Sequence, residues 1–119
     1  MSDILSDESL MLDIQWAELQ IENLRNKAVD QIDHMQGWRE YAQKCECEII
    51  RLKHELQDIG ANADISAEIN IRIQQMSARK NDAILQEQHC KAQAERYTKD
   101  ANDIDEWRNT LLNKNNRKR

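Results

Sequence analysis

The chain has no proline and no phenylalanine, only two glycines in 119 residues, and five aromatic side chains, three Trp and two Tyr. Without proline nothing obliges a helix to break, and with so few aromatics little is available to fill a round core. Long hydrophobic runs are missing as well. No segment approaches the ~20 apolar residues of a membrane span, so no membrane contact is expected. Residues 1–13 are acidic and lack a basic stretch followed by an apolar one, so a signal peptide is not expected. The three cysteines are odd in number, and Cys45 and Cys47 would point to different sides of a helix. That pattern does not make a disulfide framework and suits a reducing cytoplasm.

What is present is charge and periodicity. A third of the residues are charged and 39% are hydrophobic, a mixture suited to exposed helices with a narrow apolar seam. The net charge of −5 disfavours a simple nucleic-acid binder. Residues 1–59 hold 13 acids and 6 bases, while residues 60–119 hold 9 and 11, so two halves folded against each other attract.

Two heptad stripes run along the chain. With Ile14 as position a, the a series is Ile14, Ile21, Ala28, Met35, Ala42, Ile49 and Leu56. The d series is Ala17, Leu24, Gln31, Trp38, Cys45, Leu52 and Ile59. Thirteen of these fourteen are apolar, which predicts a coiled-coil helix over about 7–59. Gly37 lies within it and costs about 1 kcal/mol relative to Ala, yet the phase runs through it unchanged. A helix broken there, giving a three-helix bundle, is the alternative.

The phase fails after Ile59, where Gly60, Asn62 and Asp64 predict a turn at 60–64. A second helix is expected over about 65–112, with d positions Ile69, Met76, Ala83, Cys90, Tyr97, Ile104 and Leu111. Its a positions, Ser66, Ile73, Lys80, Glu87, Ala94, Ala101 and Arg108, are weaker. Antiparallel pairing places a against d, so that facing residue numbers add to 125: Leu52 with Ile73, Met35 with Cys90, Ala28 with Tyr97, Ile14 with Leu111. On the g flank Asp13 would meet Lys114, Lys27 Asp100, Glu48 Arg79 and Glu55 Arg72, all opposite in sign. The predicted fold is all-α: a long antiparallel two-helix coiled-coil hairpin, one domain over 1–112, with a basic flexible tail at 113–119. Each arm would be about 70 Å long.

The e flank reads differently. Glu18 would face Asp105, Arg39 would face Ile84, and the charges look unpaired. The adjoining b positions are mostly Gln and Asn, with Val29 and Ile50. This side is either a solvated polar face or a second interface using Val29, Ile32, Ile50 and Ile84. A two-helix hairpin buries little, so a homodimer making a four-helix assembly is expected. Where the termini meet, Leu12, Trp16 and Leu19 fall on the outer side of helix 1, near Trp107. They either pack locally under the N-terminal segment or anchor a partner protein, Trp being a frequent hot-spot residue.

Chemistry is sparse. His34, His54 and His89 lie off the seam, and Cys45 and Cys90 are too far apart in height to share a metal. Cys47 and His54 offer two ligands where a zinc site needs more. There is no phosphate-binding glycine loop and no catalytic signature, so neither enzyme activity nor a cofactor or metal is expected. Lys114, Arg117, Lys118 and Arg119 are candidates for phosphate contact, or a solubilising end. Acidic residues at the open half, Asp100, Asp103 and Asp105 among them, would suit mimicry of nucleic acid toward an enzyme.

The segment Gly37-Trp38-Arg39-Glu40-Tyr41-Ala42, followed by heptads through Arg51-Leu52-Lys53, resembles small coiled-coil accessory proteins of tailed bacteriophages. The resemblance implies a viral accessory role in a host cytoplasm and transfers no functional residue. The expected function is therefore a self-associating protein-interaction module that also binds a partner protein. Two alternatives stand beside it: a phage-encoded inhibitor of a host nucleic-acid-processing or defence enzyme, and a weak nucleic-acid binder acting through the tail.

Overall fold

The computed structural model describes the backbone of residues 2–60 and 62–117, and the side chains of 7–60 and 62–114. Two α-helices, α1 (Ser2–Ile59) and α2 (Ala63–Arg117), pack as an antiparallel hairpin, and no strand occurs among the described residues. α1 is uninterrupted through Gly37, which is exposed and has no neighbouring atoms where a Cβ would stand. The seam phase on either side of Gly37 is the same, so burial holds the helix together where local propensity is weakest.

Both helices extend beyond the predicted bounds. α1 begins near the N-terminus, and α2 runs through 113–117, where a flexible tail was expected. The turn is also tighter than 60–64. Gly60 adopts φ +68°, the left-handed conformation that ends α1 without a Cβ penalty. Asn62, not Asp64, caps α2. Its Oδ1 accepts from the Ile65 amide at 3.4 Å and its carbonyl accepts from the Ser66 amide at 3.0 Å. Asp64 lies in the first turn, where its charge suits the helix dipole.

The core is the seam and nothing else. Every buried hydrophobic residue is an a or d position of the predicted register, and no described polar or charged residue is buried. Six of these fourteen are alanine and two are cysteine, leaving four Ile and two Leu as large buried aliphatics. Each of those six is worth about 1.5–3 kcal/mol, so the core is thin for its length. The hairpin divides into two compact units, one formed by Ile32–Lys91 around the turn and the other by Met1–Gln31 with Ala92–Arg119. The first is the turn unit and the second the open-end unit.

Candidate protein-interaction surfaces

Within the turn unit, ion pairs cross the seam on the e flank. Arg39 Nε lies 2.8 Å from Glu87 Oε1, and Lys80 Nζ lies 2.5 Å from Glu46 Oε2. Each pair sits one residue off the layers that set Trp38 against Glu87 and Cys45 against Lys80. The two charged a positions thus reach sideways to the e residues of α1, and the e flank expected to be unpaired carries two cross-helix ion pairs. Lys80's hydrogen bond, and then its charge, hold the Glu46 carboxyl below its ordinary value, with Lys53 adding to the effect.

The g-flank pairs expected at Glu48, Glu55 and Arg72 give way to pairs within one helix. Arg51 binds both Glu48 and Glu55, and Arg72 approaches Glu68. A partner three or four residues away on the same helix is already in place and is reached without ordering a second long side chain. Arg51's hydrogen bond is the main reason the Glu48 carboxyl is lowered, and Arg72 contributes only through its charge. Arg79 donates to Met76 Sδ instead of meeting Glu48.

In the open-end unit Lys27 lies over the Tyr97 ring, 5.8 Å from its centroid, where a pair with Asp100 was expected. Asp105 does not oppose Glu18 unpaired. It approaches Arg25 at 3.8 Å and accepts from Arg108 of its own helix. Arg108 Nε is buried without a hydrogen-bond partner.

The open-end unit brings together two predicted anchors. Trp16 and Trp107 meet edge to face across the helices, with centroids 5.9 Å apart and planes at 82°. They remain 52% and 41% exposed, and Leu12 beside them is 65% exposed. Leu19, one turn further along α1, and Val29 are exposed too. Among the basic candidates Lys114 is exposed, the Arg117 side chain is not among those described, and Lys118 and Arg119 lie outside the described residues.

In the turn unit Ile32 and Ile50 are exposed and Ile84 is half-buried. Ile71 and Leu85, f positions outside the a/d pattern, are 55% and 62% exposed on the outer side of α2. Their spacing of two heptads is a signal legible in the sequence. Cys45 and Cys90 are buried free thiols and Cys47 an exposed one. Among the described residues no group of three or more His, Cys, Asp or Glu could hold a metal ion, and no helix is long and apolar enough to cross a membrane.

No family model, no curated protein and no solved structure matches the chain. The side chains themselves carry the functional reading.

Proposed function

We propose that the chain is a non-enzymatic protein–protein interaction module that self-associates and holds a partner protein. One contrast supports this reading. Six large aliphatics are buried, while Ile32, Ile50, Ile65, Ile71 and Leu85 of the turn unit alone stand in solvent. Apolar surface left out of a thin core gains from burial against another chain. The contact between copies uses the outer side of α2 in the turn unit, where Ile71 and Leu85 stand exposed. The partner protein is held at the open end by Trp16 and Trp107, whose rings are fixed by each other yet half exposed. Leu12 and Leu19 line the approach.

The test is the solution mass of the full chain against concentration. The expected result is a dimer at high concentration, and a folded monomer when Ile71→Glu and Leu85→Glu are combined. Both positions are exposed in the hairpin, so helical circular dichroism is expected to be unchanged. A double variant that stays dimeric removes the outer side of α2 as the contact.

A further inference from the structure

The outer side of α2 in the turn unit carries a second, shallower heptad stripe. Ile71, Gln74, Ala78, Asn81, Leu85 and Gln88 recur at alternating steps of three and four residues, all six exposed and none charged. In a chain one-third charged, six consecutive stripe positions without a charge are the pattern of a helix face that another helix covers. Its apolar members are large only at Ile71 and Leu85, with amides and alanine between.

From this stripe we infer that α2 seats the α2 of a second copy in antiparallel orientation, with Ala78 of each chain against Asn81 of the other at the two-fold axis. The inference rests on the self-association proposed above and assigns its contact to α2. In this register Ile71 meets Gln88 of the second copy and Leu85 meets Gln74, so each large side chain lies against an amide stem and never against its twin. A parallel pairing would instead stack Asn81 on Asn81 and Ala78 on Ala78, burying amide on amide and leaving a gap between two alanines.

Charge selects the register. The residues flanking the stripe are Glu68, Gln75, Asp82 and His89 on one side. At the register stated, Glu68 faces His89 of the second copy and Gln75 faces Asp82, with no like charges opposed along this flank of the stripe. A slip of one heptad one way sets Asp82 against Asp82, and a slip the other way sets Glu68 against Asp82. Like charges at facing flank positions penalise both alternatives. On the other flank Ser77 faces Ile84 and Asn70 faces Lys91, again without repulsion.

The geometry is tested on the full chain by sedimentation equilibrium from about 1 μM to about 1 mM, with circular dichroism confirming helicity. Leu85→Glu is expected to weaken the dimer by at least about tenfold. Ile32→Glu combined with Ile50→Glu is expected to change it by less than about threefold, because those residues lie on α1. Gln75→Lys gains two symmetric attractions to Asp82 and is expected to tighten the dimer by about three- to fivefold, and Gln75→Glu to loosen it comparably. A dimer untouched by Leu85→Glu but broken by the α1 pair overturns the α2 seat while leaving self-association standing. Tightening by Gln75→Glu in place of Gln75→Lys overturns the antiparallel register. A chain that stays monomeric throughout overturns both this contact and the self-association it rests on.

Discussion

Lys80 and Glu87 stand where a coiled-coil seam wants apolar side chains, and the structure tolerates them because each has an opposite charge within reach on the neighbouring helix. The Glu46–Lys80 pair has a pH signature. The carboxyl is held below its ordinary value of 4.5, so its stabilisation is full above that value and is lost as pH falls through the lowered one. With Lys80→Met, which removes the ammonium, the stability difference between wild type and variant is expected to shrink on acidification below 4.5. Thermal melts at stepped pH measure this. At the open end the edge-to-face contact of Trp16 with Trp107 predicts a coupling of about 0.5–1.5 kcal/mol in a double-mutant cycle of Trp16→Ala and Trp107→Ala by urea denaturation. A coupling near zero would show that the two rings act independently.

For the elements, the two glycines make opposite predictions. Gly37 is a helical residue with open space at its Cβ position, so Gly37→Ala is expected to stabilise the hairpin by about 1 kcal/mol. Gly60 sits at φ +68°, and Gly60→Ala forces a side chain into the left-handed region at a cost of about 1–2 kcal/mol. Chemical denaturation of the two variants is expected to move the midpoint in opposite directions. α1 was the more legible element because thirteen of its fourteen seam positions are apolar. α2 was readable only once its register was set against α1. The ends of both helices were drawn too short, since residues 2–6 and 113–117 lie beyond the paired seam yet remain helical.

On the scale of the whole molecule, the proposed self-association would couple folding to association, because the core is narrow and exposed apolar side chains gain from burial against a second chain. Binding of a second copy to the folded state alone raises the apparent melting temperature with concentration. Calorimetry at about 10 μM and about 1 mM is expected to show that rise in the wild type and its loss when Ile71→Glu and Leu85→Glu are combined. Equal melting temperatures in the wild type would mean that the fold gains nothing from a second chain.

The sequence by itself determined the all-α hairpin, the turn at Gly60 and the identity of every core residue. A heptad phase is a property of residue spacing, and an antiparallel seam has one register that pairs its apolar positions. Only the tertiary structure decided the charge network. Long side chains choose among several neighbours at similar cost, and Arg51 found both its partners on its own helix while Lys80 crossed to Glu46. The tertiary structure alone also showed that the two tryptophans touch. Spacing names a helix face, and packing decides whether that face is covered.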